Sequence, residues 1–354
     1  MAYTTIDDPS AHFHAQLYTG NGSSGLSITN DANAGNIQPD LLWIRPRSGS
    51  DNNVFFDSSR GEDKQLKGNG SDAEDTHSPA RITFESDGFD LDTTDSNYNG
   101  SGSTYVAWQW KANGGSTTTN DASATGVGSQ DSVYQANTTA RFSIVTYGEL
   151  GSGGTIAHGL GTTPHLIIVK SRDGSRNWCI YHHKNTSAPE TDFFSLDQNV
   201  ATQDATVWND TAPTSTVFSV SGDGKVGTDE KYVAYCFAEV QGYSKFGMYK
   251  GNNNTDGTFV YLGFRPEFII MKKTSNTANW ISKTGKVDEL NTHQKISYLD
   301  ISNAENTAQD MDLLSNGFKH RSTEGDGNGA ETYVYMAWAR HPFVSSEGVP
   351  CTAV

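Results

Sequence analysis

The feature that most constrains this chain is a seven-residue apolar run led by proline that occurs three times, each time followed by a second repeated strand. The runs are Pro39-Asp40-Leu41-Leu42-Trp43-Ile44-Arg45, Pro164-His165-Leu166-Ile167-Ile168-Val169-Lys170 and Pro266-Glu267-Phe268-Ile269-Ile270-Met271-Lys272. Tyr105 follows Pro39 by 66 residues, Tyr232 follows Pro164 by 68 and Tyr333 follows Pro266 by 67. Agreement this close between like segments means one structural unit written three times. An aromatic strand ending in glycine precedes each proline (Tyr18 to Gly20, Tyr147-Gly148, Tyr249 to Gly251), and Phe89, Phe218 or Phe318 precedes each tyrosine strand. The second and third copies carry Asn177-Trp178 and Asn279-Trp280 where the first reads Asn53-Val54-Phe55. The organisation is a first β repeat over 1–112, a polar linker or hairpin over 113–139, a second repeat over 140–241, and a third with a C-terminal tail over 242–354.

The repeated strands show how each unit packs. Strand alternation places Val106, Trp108 and Trp110 on one face, and likewise Val233, Tyr235 and Phe237, then Val334, Met336 and Trp338. The opposite faces are mostly small after their first tyrosine (Ala107; Ala234 and Cys236; Ala337 and Ala339). A bulky face wants a core, and a small face lets a second layer approach. The proline runs are apolar at nearly every position and read as central strands, with the proline at the head costing no ladder hydrogen bond. The expected repeat core is Trp43, Trp108, Trp110, Ile168, Tyr235, Phe237, Ile270, Met336 and Trp338.

Turn residues, including 36 glycines, interrupt the chain every ten or so positions, and no long stretch has apolar residues at helical spacing. The fold class expected is all-β: three diverged antiparallel β-sandwich-like repeats of about 100 residues. They are either separate domains or parts of one shared core. Helix is expected only around 303–314, and weakly. The stretch from Ala112 to Thr139 is almost wholly Gly, Ser, Thr, Asn, Asp, Ala and Gln; it reads as a flexible linker or as a hairpin along the neighbouring unit, using Ser132-Val133-Tyr134.

With 25 basic and 41 acidic residues, a net charge of −16 disfavours nucleic acid as a partner, since phosphate neutralisation needs clustered Lys and Arg. No apolar run approaches eighteen residues and the first residues do not form a signal peptide, so membrane insertion and secretion are not expected. Cys179, Cys236 and Cys351 suit neither a disulfide framework nor a metal site. Gly20-Asn21-Gly22-Ser23-Ser24-Gly25 spells a dinucleotide fingerprint but leads into the strand-like Leu26-Ser27-Ile28-Thr29, so it reads as a turn. The Glu324 to Asn328 loop lacks the distal glutamate of a calcium loop, and neighbouring His182 and His183 point to opposite strand faces. No metal and no cofactor are expected. A glycosidase would need two carboxylates across a cleft, one with a raised pKa, and no spacing singles out such a pair; the chain is read as not an enzyme, with a polysaccharide depolymerase as a minor alternative.

Phe142-Ser143-Ile144-Val145-Thr146-Tyr147 followed by His158-Gly159-Leu160-Gly161-Thr162-Thr163-Pro164 resembles a segment of virion structural and tail-fibre-like proteins of marine tailed phages. Tyr232 to Gly247, Leu314 to Lys319, Ala339 to Val344 and the opening Asp7 to Phe13 are similar to the same family. The resemblance implies a virion component of tail-fibre or receptor-binding type that presents loops to the host. The alternative is a capsid or tail decoration (cement) protein without a host-binding role. It implies other virion proteins as partners, a host surface glycan or protein as ligand, and a homo-oligomer, with a trimer favoured. Trp178, Tyr181 and Trp208 are conceivable platforms for a sugar, although each reads first as a core residue. The core assignment predicts that Trp108→Ala costs about 3–5 kcal/mol in chemical denaturation; a near-neutral effect would place that face at the surface.

Overall fold

A computed structural model describes residues 2–351. Nearly all regular structure is antiparallel strand, and the two α-helical segments, Ser96–Asn99 and Ala122–Thr125, are single turns. Each unit forms a larger sheet with the same strand order. In the first unit this is Phe13–Thr19, Thr104–Trp110, Leu41–Pro46 and Val54–Asp57; in the second, Phe142–Gly148, Lys231–Phe237, Leu166–Ser171 and Cys179–His182; in the third, Ser244–Lys250, Thr332–Pro342, Phe264–Lys273 and Ile281–Thr284. The tyrosine strand therefore lies between the proline run and the unit's first strand.

A smaller sheet covers one face of each larger one. It pairs Leu26–Thr29 with Gly88–Leu91, Gly153–Ala157 with Val217–Ser221, and Phe259–Tyr261 with Gly317–His320. This gives each unit its own core, gathered around Tyr105 and Phe89, Tyr232 and Phe218, and Tyr333 and Phe318. A Cβ at Gly88 or Gly317 would fall 2.0 Å from the carbonyl oxygen of Ile28 or Val260, which explains the glycine there. The second unit carries Val217 at that place, where its small sheet has only two strands.

The landmark aromatics form one motif built three times. Tyr18 stacks on Tyr105, Tyr147 on Tyr232 and Tyr249 on Tyr333, with ring centroids 5.0, 5.0 and 5.1 Å apart. Phe89, Phe218 and Phe318 meet the first tyrosine of each pair edge-on. The hydroxyls reach into the loop before the tyrosine strand: Tyr105 donates to the Ser96 carbonyl, Tyr232 to Gly224 and Tyr333 to Gly325. Buried phenols thus find acceptors while their rings fill the core.

The bulky faces of all three larger sheets point inward to one common core. All nine residues expected as repeat core belong to it. At its centre, the equivalent side chains Trp110, Phe237 and Trp338 meet pairwise, edge to face, at 6.0, 5.2 and 5.4 Å, so the units are related by a pseudo-threefold arrangement. Such pairs contribute roughly 0.5–1.5 kcal/mol each beyond the area they bury.

Polar contacts close the ring in one sense. Strand register makes Val54, Cys179 and Ile281 equivalent. The preceding residues are Asn53, Trp178 and Trp280, so the landmark alignment of Asn53 with Asn177 shifts by one. Trp178 Nε1 donates to the Lys67 carbonyl of unit one, Trp280 Nε1 to Ser195 of unit two, and Asn53 Nδ2 to Leu299 of unit three, at 2.8, 2.8 and 3.0 Å. The large ring absent at Asn53 is supplied by Trp43, which stands where the other copies have Ile168 and Ile270 and donates to Asn53 Oδ1 at 2.8 Å. The backbone N–H at these three places is accepted by Asn69, Asp197 and Asp300, each at 3.1 Å.

One alternative is resolved and one expectation is corrected. Of the linker and hairpin readings of residues 113–139 the hairpin holds: Thr118–Asn120 pairs with Ser132–Asn137, which joins the second unit's sheet by pairing with Phe142–Gly148. Residues 303–314 contain no helix and end in the strand Met311–Leu314. The acidic insert of the first unit is also engaged, since Glu74 accepts from Arg172 of unit two through both oxygens at 2.8 Å and from Arg60 at 2.8 Å.

A shared core makes unfolding collective. Trp280→Phe, which orphans the buried Ser195 carbonyl, should cost about 1–3 kcal/mol, and Trp280→Ala about 3–5 kcal/mol. Each should shift a single calorimetric transition; a separate early melt of the third unit would show that the units are independent.

Candidate functional site

Trp178, Tyr181 and Trp208 take the core places that the sequence favoured for them and are not sugar platforms. Trp178 is fully buried, with its ring 4.7 Å from Phe55 of the first unit. Tyr181 and Trp208 pack edge to face within the second unit's own core, and Trp208 Nε1 donates to the Asp192 carbonyl. None can stack on a sugar in solvent, because each ring has been used to seal an interior.

The other motifs keep structural roles. Gly20 to Gly25 turns into the strand Leu26–Thr29. His182 is buried beside the Tyr335 carbonyl and His183 beside that of Phe246, so the two rings serve different partners. Among the described residues no group of His, Cys, Asp and Glu has the geometry to hold a metal ion.

Open concavities lie instead at the junctions between units. The first strand of one unit runs past the end of the preceding unit's sheet, and this happens three times. At the junction of units one and two the groove is filled by the added strand Ser132–Asn137, whose Gln135 side chain donates to Ser58 and Ser59, both at 2.7 Å. The other two junctions are open.

Between units three and one is a charged cleft of about 370 Å³. From unit one come His14 and Asp31, 2.9 Å apart; from unit three come Glu267, Lys286, Glu289 and Arg340. Lys286 pairs with Asp31, and Arg340 lies 3.2 Å from Glu289 and 3.8 Å from Glu267. Burial pushes the Glu267 carboxyl up to about 7, against the pull of Arg340 and of the Lys286 N–H that donates to it at 3.0 Å. Burial acts on Asp31 in the same direction, but Lys286 and His14 more than offset it and hold that carboxyl below its ordinary value. Burial also lowers the His14 imidazole, which favours its neutral form. The cleft therefore joins a carboxyl from unit three that titrates near neutrality to one from unit one that stays ionised.

Between units two and three is a shallower groove of about 610 Å³, lined by His183, Lys184 and Glu239 on one side and Lys245, Met248, Phe259 and Tyr261 on the other. Met248, Phe259 and Tyr261 are 58%, 43% and 48% exposed, high values for large apolar side chains. Lys245 Nζ donates to the Tyr261 carbonyl at 2.7 Å and lies over its ring.

These residues were missed in the sequence, yet the repeat held a signal for them. The residue after each leading proline is ionisable in an otherwise apolar run: Asp40, His165, Glu267. Met248 stands where the other units have Leu17 and Thr146, an apolar side chain with no sequence reason to be exposed.

Residues 8–342 match a family described as a domain of unknown function, DUF7483, and the chain belongs to that family. No curated protein and no solved structure matches it.

The raised carboxyl has a measurable consequence. Because the folded chain holds the Glu267 proton more tightly than the unfolded chain does, its contribution to stability is present below pH about 4.5 and lost as pH rises through about 7. Relative to the parent, Glu267→Gln should gain up to about 3 kcal/mol between pH about 4 and about 8. Parallel urea-stability profiles would show that this carboxyl is not perturbed.

Proposed function

We propose that this protein is a structural component of a phage particle, of tail-fibre or receptor-binding type, and that its ring of three units serves as a rigid mount for surface loops. The observation that carries the reading is the single core shared by all three units, which closes the ring through packed aromatic side chains. Cys179 and Cys236 are buried thiols packed into the second unit's core, and rigidity comes from such packing. A particle component needs kinetic persistence of this kind. The family resemblance in the strands and in the His158 to Pro164 segment supports the same reading, and host contact falls to the loops and to the charged cleft. A decoration protein would have the same ring and no host ligand. The threefold pseudosymmetry within one chain also supplies what a homotrimer would, so a single copy suits a threefold position.

The depolymerase reading is favoured by one observation, that Glu267 and Asp31 line the same cleft, the first raised to about 7 by burial and the second lowered. In that reading Glu267 is the general acid.

Imaging intact particles at subnanometre resolution tests the main reading. Density at the tail periphery is the expected result, whereas density spread over the capsid lattice would leave the decoration role. For the second reading, release of reducing ends from host polysaccharide should disappear in Glu267→Gln; no release by the parent protein would dispose of it.

A further inference from the structure

The filled junction between units one and two shows what the open groove between units two and three is shaped to receive. In the filled junction the strand Ser132–Asn137 adds antiparallel to Phe142–Gly148, with Gln135 opposite Ile144 and Val133 opposite Thr146. Strand register makes Phe246 and Met248 the equivalents of Ile144 and Thr146, since each pair faces corresponding positions of its tyrosine strand. The third unit's sheet ends at Ser244–Lys250, with no further strand beyond it.

The bare edge is managed at one point and open at the next. The Phe246 N–H donates to Glu239 Oε1 at 2.8 Å and its carbonyl lies 2.6 Å from His183 Nε2, so two side chains of unit two stand in for a neighbouring strand. Two residues on, Met248 turns the same way and is 58% exposed, with Phe259 and Tyr261 beside it. Three of the five most exposed large apolar side chains thus gather at one uncovered sheet edge. An edge left both apolar and unpaired is a template for another strand. The polar lining differs too: His183 and Lys184 replace the Ser58 and Ser59 that receive Gln135, and Lys245 and Glu239 line the same groove, which leaves two lysines to one carboxylate.

We propose that this groove docks an extended segment of a neighbouring polypeptide, which adds antiparallel to Ser244–Lys250 as Ser132–Asn137 adds to the second unit. An apolar side chain of the segment rests on Met248 and Phe259, its backbone displaces Glu239 and His183 from the Phe246 N–H and carbonyl, and a carboxylate in the place of Gln135 meets Lys184 and Lys245. Main-chain pairing supplies affinity, and the alternating side chains supply selection. The proposal rests on the internal repeat and holds whether or not the protein belongs to a phage particle.

The test titrates the full chain into a fluorescent peptide copying residues 131–138 with Gln135→Glu. Expected are saturable anisotropy and at least roughly tenfold weaker binding to the Met248→Pro variant, which removes the outward N–H without touching the ladder to Thr332–Pro342. Lys245→Glu, which leaves the backbone unchanged, should weaken the acidic peptide several-fold more than the peptide retaining Gln135, and serves if Met248→Pro fails to fold. Absence of saturable binding, indifference to these substitutions, or occupation of the groove by an oligosaccharide in a Tyr261-dependent way would each overturn it.

Discussion

The structure depends on the burial of three equivalent aromatic side chains against one another at the centre of the ring. Trp110, Phe237 and Trp338 end the bulky face of their strands, and each touches both of the others edge to face. Once they are packed, the inner faces of all three larger sheets lose their solvent together, and the remaining bulky residues fall into the same core. No unit could expose that face alone, because a row of Trp, Tyr, Phe and Met would be a large apolar patch. Each unit has a core of its own beside its small sheet and gives its bulky face to the shared one.

Threefold packing from one chain permits asymmetry that three identical chains could not have. The exchange of a tryptophan between Trp43 in the first unit and Trp178 and Trp280 in the others keeps an indole beside the equivalent place at every interface, with Asn53 relaying the hydrogen bond across. The buried cations Arg45, Lys170 and Lys272 occupy one equivalent position and each donates to a backbone carbonyl, Lys170 and Lys272 within their own units and Arg45 across to Asn303 of unit three. The junctions diverge furthest. One is filled by an added strand, one holds a network of paired charges, and one leaves methionine and aromatic rings exposed. Divergence is tolerated there because the load is borne at the axis.

The skeleton was legible in the sequence to a large degree. The proline runs, the tyrosine strands and their bulky faces follow from a period of two read at three aligned places, whereas the stacking of the tyrosines is seen only in the structure. Three aligned copies turn weak preferences into a consistent pattern. The candidate ligand residues were not legible. Trp178, Tyr181 and Trp208 look alike whether they seal a core or face water, since a large aromatic side chain suits both places. Glu267 looks like one of 41 acids until the cleft closes round it.

The sequence by itself determined the class of fold, the number of units, the strands that form each sheet and the face of each that must be buried. These are local matters, set by alternation, turn residues and the spacing of repeated segments. Tertiary structure decided that the three buried faces are one core, that residues 113–139 are strands, and that the open surfaces lie between units. Those outcomes depend on which distant segments become neighbours, as Asn53 and Leu299 do across the ring's closing junction. Spacing along the chain carries no record of that meeting, which is settled only when three sheets bury their aromatic faces together.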